Sequence, residues 1–440
     1  MSAIFLLDNK DIVLLILFLF STMIQAFFIL FYVLVLGFCI YKLPLFHLRK
    51  ISKTKVLGLF LLKVLAGLSY VFISKHVIEA GDLVHFYNDS QIVYEHLLRG
   101  DLWTYLQLTF GLNNVAITEN IASSVDAMGY WFNTSLYMMV RFNAAVSVLT
   151  FGVGIYANSI FFAFISFWGA ILFARLFEDK LDAEPVALYA MFLMPSLWYW
   201  TSGMHKETLS VFLLAAILLS LLDIAVKKRV LGILLALMAF VLLFYTRFFI
   251  AMMLIPSLLA YFVTRWKKEW SPLLVFLALF VILLSCTYIV PKLSGSPNLV
   301  DAVMSKKSLY EALDNGSTVI HLGEYERSYW GIAKVVPQAL FNTMVRPHFL
   351  DVKSFFLALA SLESLIITIL FVVALFYIKN CRQEEKSIIY LCMSFALSYL
   401  ILTGLIVPNL GAILRYRSVA LFFLVPCLFY LVSRKNELKN

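Results

Sequence analysis

Long apolar runs separated by short polar stretches dominate the pattern of the chain. A helix that crosses the hydrocarbon core of a bilayer needs about 20 mostly apolar residues, because it rises about 1.5 Å per residue and must satisfy its backbone hydrogen bonds internally. The pattern predicts eleven such helices, at about 11–41, 56–74, 157–176, 185–200, 207–225, 230–246, 248–264, 271–291, 352–377, 387–407 and 417–432. We therefore expect an all-α fold, a polytopic helical membrane protein with a single transmembrane domain over residues 1–440.

The composition agrees with this class of protein. Of the 440 residues, 62% are hydrophobic and only 14% are charged, so a water-soluble fold would expose far more apolar surface than such proteins tolerate. The five cysteines stand singly, without a C-x-x-C pair or a metal-ligand spacing. We interpret them as small buried apolar residues.

Basic residues concentrate in short loops between the predicted spans. The formal net charge is +9, and its excess falls in four clusters: Arg49, Lys50, Lys53 and Lys55; Lys227, Lys228 and Arg229; Arg265, Lys267 and Lys268; Arg434, Lys435 and Lys439. This bias is typical of cytoplasmic loops, so we predict that these loops lie inside and the N-terminus outside. It does not indicate a nucleic-acid partner. Asp8 and Asp11 flank the first apolar run, and no small-residue cleavage site follows, which predicts a retained span.

The stretch 133–156 is ambiguous by hydropathy alone. All the basic clusters lie inside only if this stretch does not cross, so we interpret it as a juxtamembrane or re-entrant element. Two external loops result, 75–156 and 292–351. Helical spacing of apolar residues predicts amphipathic juxtamembrane helices in the first loop. Turn signals such as Asn315-Gly316 predict a small cap of helices and turns in the second.

An acidic residue opens the first external loop. Asp82 follows the second predicted span, and a carboxylate there is suited to act as general base on an acceptor hydroxyl or to stabilise positive charge at an anomeric carbon. The alternative is an acidic cap at a helix boundary. His85 and Asp89 lie three and seven residues further on and share a helical face with Asp82. That face is compatible with a metal site or with ordinary solvation.

Two cationic side chains stand at the predicted external ends of middle spans. Lys206, flanked by His205 and Glu207, opens the fifth span, where the positive helix end adds to its attraction for an anion. The alternative is a lysine that reaches to the interface. Arg247 separates two short apolar runs with no Gly or Pro to make the turn. A charge inside the membrane is expensive and usually functional, and the alternative places Arg247 at the interface.

Three late arginines complete the candidate phosphate-binding set. Guanidinium forks bind phosphate oxygens through two hydrogen bonds, and more strongly where water is scarce. Arg346 precedes Pro347, which favours an extended backbone before the ninth span. Arg415 and Arg417 diverge around a helix, so we expect only one to face a ligand and favour Arg415. The alternative for Arg415 is a lipid-headgroup anchor.

Two charges fall near the middle of predicted spans. Lys63 lies half-way along the second span and Glu363 half-way along the ninth. We predict that they pair with each other or that each reaches a polar cavity, in a structural rather than catalytic role.

These features together resemble the GT-C superfamily of integral-membrane glycosyltransferases, which use polyprenyl-linked sugars. The resemblance rests on the acidic Gly81-Asp82 motif in an extended first external loop and on the late Arg-Tyr-Arg run. The stretches PSLWYWTSGMHKE at 195–207 and NLGAILRYR at 409–417 also resemble motifs of bacterial surface-polysaccharide proteins. The resemblance implies that Asp82 is the catalytic acid position and that external Arg and Lys groups hold the donor phosphate. The chain departs from the common pattern in having Leu83 rather than a second acid.

We therefore expect an enzyme of the bacterial inner (cytoplasmic) membrane with an extracytoplasmic active face. It would transfer a sugar, with inversion, from a polyprenyl-phosphate-linked donor to a glycan or lipid acceptor. One alternative is a polymerase or ligase of lipid-linked oligosaccharides. Another is a flippase or transporter of lipid-linked glycans, for which inverted repeats are typical, and the sequence contains no recognisable repeat. No metal site is assigned and no cofactor is required, although a divalent metal is compatible with the acidic loop. The expected partners are the sugar donor, the acceptor and membrane lipids.

Overall fold

The computed structural model of the chain describes residues 9–77, 81–111, 117–222, 229–313, 318–320, 322–323 and 325–433. Within them the regular secondary structure is α-helical, apart from short 3-10 turns and one isolated antiparallel bridge between Val319 and Asn409. The all-α class predicted from the sequence is therefore confirmed. The basic positions 227, 228, 434, 435 and 439, the acidic position 8 and the turn at 315–316 lie outside the described residues.

Eighteen helices are formed by the described residues. The first nine are α1 (Asn9–Lys42), α2 (Lys53–His76), α3 (Asp82–Leu98), α4 (Leu102–Phe110), α5 (Glu119–Ala127), α6 (Thr134–Leu149), α7 (Ile155–Leu181), α8 (Pro185–Leu193) and α9 (Pro195–Trp200). The other nine are α10 (Lys206–Leu222), α11 (Arg229–Thr246), α12 (Phe248–Trp266), α13 (Pro272–Ser294), α14 (Leu299–Leu313), α15 (Tyr329–Met344), α16 (Phe355–Leu375), α17 (Gln383–Ile406) and α18 (Leu410–Ser433).

Eight helices in the described part of the chain are long and apolar enough to cross a membrane. They are α1 from Thr22 onward, α2, α7, α12, α13, α16, α17 and α18. Length and composition thus agree with a multi-pass integral membrane protein, while the count of eleven spans stays a prediction. The other three predicted spans fall on shorter helices. The one at 185–200 is divided at Pro195, which has no backbone N–H to continue α8 and instead begins α9.

The chain forms two compact units, and the first comprises Met1–His47, Ser52–Phe167 and Ser202–Thr208. Here α1 packs on α2, and α3 packs on α4, α5 and α6. The predicted juxtamembrane helices are α3 to α6, which present apolar faces to one another: Phe86, Val93 and Tyr137 are fully buried. The ambiguous stretch forms the 16-residue α6. This helix is not among the eight candidate spans, and its position on the outer surface remains a prediction.

The second unit comprises Leu48–Ile51, Trp168–Thr201 and Leu209–Asn440. Its core is made by α17 and α18, which pack on each other. Helices α12, α13, α14 and α15 also pack on α17, and α8, α9 and α16 pack on α18. Gly404 lets α17 approach α15, because a Cβ at this position would collide with the backbone carbonyl of Ala339. All four candidate arginines lie in this unit.

Candidate functional site

Asp82 begins the first helix that follows α2 in the described part of the first unit. Gly81 precedes it with φ of 130°, a backbone conformation that side-chain-bearing residues rarely adopt, so the chain changes direction here. As the first residue of α3, Asp82 places its negative charge at the positive helix end. The hydroxyl of Tyr130 donates a hydrogen bond to Asp82 Oδ1 at 3.1 Å. The candidate base is therefore held by a specific neighbour.

Tyr130 remains a hydrogen-bond donor across the physiological pH range. Burial of its ring raises the pKa of the Tyr130 hydroxyl, and the negative charge of Asp82 raises it further. The ring packs against Phe86 with ring centroids 5.1 Å apart, and the His85 ring lies 6.0 Å away. Through this hydrogen bond the protonated phenol orients and stabilises the Asp82 carboxylate. Sequence reasoning missed Tyr130, because 48 residues separate it from Asp82.

Asp89 has a structural part in the same arrangement. Its side chain is 6% exposed, and its two carboxylate oxygens accept the backbone N–H groups of Gly129 at 3.3 Å and Tyr130 at 2.9 Å. Asp89 thus fixes the turn that presents Tyr130 to Asp82. His85 is exposed, with its ring beside that of Tyr130. In the described ranges no group of three or more His, Cys, Asp or Glu side chains is placed to hold a metal ion.

The segment 202–208 belongs to the same unit and packs on α2. A Cβ at Gly67 would lie 2.9 Å from the carbonyl oxygen of Ser202, so a glycine permits the close approach. The His205 ring lies edge-on to Tyr70 with centroids 4.4 Å apart. Lys206 donates a hydrogen bond from Nζ to Ser135 Oγ, at the start of α6, at 2.8 Å. The next residue, Glu207, is buried, with 1% of its surface exposed.

A further polar group joins three short helices of the first unit. The Ser124 hydroxyl lies 2.7 Å from His96 Nε2, and His96 Nδ1 lies 3.6 Å from Asp101 Oδ2. Asp101 also caps α4 by accepting the N–H of Thr104, and this hydrogen bonding lowers the pKa of Asp101. Ser124 is 6% exposed within α5, which suits a tether between helices. The sequence pattern did not single out these three side chains.

In the second unit two candidate cations converge on one aromatic ring. Arg247 is the single residue between α11 and α12, and its guanidinium carbon lies 4.6 Å from the centroid of Tyr416. The Arg415 guanidinium carbon lies 5.0 Å from the same centroid, and Arg415 Nη2 donates to the Tyr416 hydroxyl at 3.1 Å. The hydroxyls of Tyr310 and Tyr416 are 3.0 Å apart. Two guanidinium groups and two phenols are thus brought together in one place.

Arg417 points elsewhere, as the divergence of Arg415 and Arg417 around a helix predicts. It is 1% exposed, and its Nη1 donates to the Ser364 hydroxyl at 2.8 Å and to the Arg346 carbonyl at 3.1 Å. Its Nη2 lies 3.4 Å from Glu363 Oε1, and Glu363 Oε2 accepts the backbone N–H of Ser196 at 2.8 Å. The buried Arg417–Glu363 pair therefore ties α18 to α16 and α9.

The two charges predicted near the middle of spans, Lys63 and Glu363, have different surroundings. Glu363 has Arg417 as an ion-pair partner within the second unit. Lys63 lies in the first unit and is 5% exposed. The pairing of Lys63 with Glu363 stays a prediction. The contacts of Glu363 with Arg417 and Ser196 agree with a structural role for this carboxylate.

Arg346 is held by a neighbouring carboxylate. Its Nε and Nη2 donate to the two oxygens of Asp351 at 3.0 and 2.5 Å. The hydrogen bond from Arg346 lowers the pKa of Asp351, and the N–H of His348 adds to this. A bidentate pair of this kind uses the fork that a phosphate would otherwise occupy. Phosphate binding by Arg346 would require this pair to open.

The candidate residues thus divide between the units. The first holds Asp82, His85, Asp89, His205, Lys206, Glu207 and Lys63; the second holds Arg247, Arg346, Arg415, Arg417 and Glu363. Comparisons of the chain with protein-family models, with curated proteins and with solved structures return no match.

Proposed function

We propose that the protein is a GT-C-like glycosyltransferase that moves a sugar from a polyprenyl-phosphate-linked donor to a hydroxyl of a glycan or lipid acceptor. The proposal places about eleven spans in a bacterial inner membrane and the reaction on its extracytoplasmic face. It rests above all on the Asp82–Tyr130 pair, a half-buried carboxylate held at a helix N-terminus by a phenol that stays protonated.

The reaction needs one base and a cation that receives the leaving phosphate. Asp82 takes the proton of the acceptor hydroxyl while that oxygen attacks the anomeric carbon of the donor. The bond between the anomeric carbon and the phosphate oxygen breaks, and its electron pair leaves with the polyprenyl phosphate. Because a phosphate leaves without protonation, no general acid is required. In the unit that holds Asp82, the candidate for stabilising this charge is Lys206, at the start of α10.

The arginine pair of the second unit supports the same chemistry independently. Arg247 and Arg415 are ordered by stacking near Tyr416, so they need little reorganisation to receive a phosphate. We assign them, within the second unit, to binding of a phosphate group. Arg417 and Arg346 are assigned to the structural ion pairs described above.

The test uses the protein reconstituted in liposomes with a panel of polyprenyl-phosphate-linked hexoses, and it measures release of polyprenyl phosphate. Asp82→Asn is expected to lower turnover by about 10²- to 10⁴-fold, the usual contribution of a general base. Tyr130→Phe removes one hydrogen bond and is expected to lower turnover by about fivefold. The control is Asp126→Asn, an exposed acid on α5 of the same unit, which is expected to keep wild-type turnover.

Full turnover in Asp82→Asn would overturn the assignment of the base. Parallel reactions with an oligosaccharide-diphosphate donor separate single-sugar transfer from polymerisation or ligation. Turnover with the oligosaccharide donor alone would replace the proposed donor class.

A further inference from the structure

A groove of about 1160 Å³ lies in the second unit between α13, α16 and α17. Its volume is slightly above the range of about 300–1,000 Å³ that is common for small-molecule sites. Apolar side chains form its walls, among them Phe276 and Phe280 of α13, Phe371 of α16 and Ile401 of α17. All three helices are candidate membrane spans, so the groove runs at bilayer depth.

Two serine hydroxyls on the groove wall already have hydrogen-bond partners in the protein. Ser394 Oγ lies 2.9 Å from Ser257 Oγ, and Ser398 Oγ donates to the carbonyl of Phe395 at 3.0 Å. They present little unsatisfied polarity to the groove. The long part of the groove is therefore suited to a hydrocarbon chain rather than to a polar ligand.

One end of the groove is cationic. Lys268, Lys379 and Lys386 line it, from the α12–α13 loop, the α16–α17 loop and the first turns of α17. Gln383 Nε2 donates to the carbonyl of Trp270 at 2.7 Å and so ties the α12–α13 loop to the start of α17. The lysines are thus held around a common opening.

The acids near this opening do not cancel the positive charge. Glu269 lines the opening, and Glu384 lies 2.9 Å from Arg265 and 3.8 Å from Lys268. Two carboxylates therefore face four cationic groups once Lys379 and Lys386 are included. In the described part of the chain, the side chains of Lys379 and Lys386 make no ion pair or hydrogen bond.

We propose that this groove binds an anionic phospholipid, with the phosphate at Lys379, Lys386 and Lys268 and one acyl chain along the apolar walls. The cationic opening matches the phosphate headgroup of such a lipid, and the apolar groove behind it matches an acyl chain. A free phosphate lacks the acyl chain, and a neutral lipid lacks the net negative charge. The opening lies at the loops whose basic residues predict the cytoplasmic side, where anionic headgroups attract lysine side chains. The site does not depend on the proposed transferase activity.

The test measures the preference for phosphatidylglycerol over phosphatidylcholine. The full chain is reconstituted in mixed bilayers, and spin-labelled lipids report the relative association of each headgroup with the protein. Because the ion pair of each groove lysine with the bound phosphate contributes up to about a factor of five, Lys379→Ala/Lys386→Ala is expected to reduce the preference by up to about 25-fold. The matched control is Lys42→Ala/Lys53→Ala, which removes two exposed lysines on the same predicted side.

A second variant tests the apolar part. Leu397→Trp places a bulky ring at a groove-lining position, and it is expected to reduce association of phosphatidylglycerol while leaving that of phosphatidylcholine unchanged. An unchanged preference in Lys379→Ala/Lys386→Ala would overturn the proposal, as would an equal loss in the control pair. Equal binding of water-soluble glycerol phosphate would also overturn it, because the acyl chain would then contribute nothing.

Discussion

Removal of the Glu363 charge is expected to destabilise the second unit strongly. The side chains of Arg417 and Glu363 are 1% and 3% exposed, and their closest nitrogen and oxygen atoms are 3.4 Å apart. At this distance, with an effective dielectric constant of about 20, their attraction is about 5 kcal/mol. Loss of one partner from a buried pair usually costs about 3–5 kcal/mol, because the other charge stays buried without compensation. We expect Glu363→Gln to lower the free energy of unfolding by about that amount.

The measurement is reversible unfolding of the purified protein in mixed micelles by titration with a denaturing detergent. The matched control is Glu384→Gln, since Glu384 pairs with Arg265 at a similar distance of 2.9 Å but the side chains are 64% and 40% exposed. Surface pairs contribute less than about 1 kcal/mol. In the double variant Glu363→Met/Arg417→Met no charge is left buried, so the loss should be smaller than the sum of the single losses.

Two results would refute this reasoning. If Glu363→Gln were no less stable than Glu384→Gln, the pair would not hold the helices together. If the two single losses simply added in the double variant, the residues would act independently. A variant Arg417→Met that kept full stability and lost only affinity for polyprenyl phosphate would return Arg417 to the phosphate-binding set.

Three further predictions follow from single contacts. Gly67→Ala should lower the stability of the first unit by about 1–3 kcal/mol in the same unfolding assay, because the added Cβ would lie 2.9 Å from a backbone carbonyl oxygen. The control is Gly58→Ala on the same helix, where a Cβ meets nothing within 4 Å and should cost no stability. The folded-state pKa of Asp351 is below its unfolded value, so the contribution of its pair with Arg346 is complete above about pH 4 and is lost as the pH falls through the lowered pKa. Stability measured against pH should show this acid-side loss in the wild type and not in Asp351→Asn. Tyr416→Leu removes a ring that two guanidinium groups approach and should lower the melting temperature, while Tyr416→Phe, which keeps the ring, should recover most of it.

Much of the local structure was determined by the sequence alone. The tendency of a segment to form a membrane-spanning helix depends on the free energy of moving its own side chains out of water. It can therefore be read from that segment alone. The helical class and the short helices between the second and third candidate spans could therefore be predicted. The break at Arg247 was predicted for the same reason, since a charge interrupts two apolar runs. The division of 185–200 into two helices could also have been anticipated from Pro195, which cannot donate the backbone hydrogen bond a continuous helix needs.

The tertiary structure decided which polar groups meet. Tyr130 reaches Asp82 only because the Asp89 carboxylate holds a turn 40 residues further along the chain, and periodicity carries no information about such a contact. Arg415 and Arg417 differ by two positions in sequence, yet one approaches Arg247 near an aromatic ring and the other is buried against Glu363. Hydropathy measures how much each residue costs to bury. Which partner offsets that cost depends on helix packing, because the compensating groups come from distant parts of the chain.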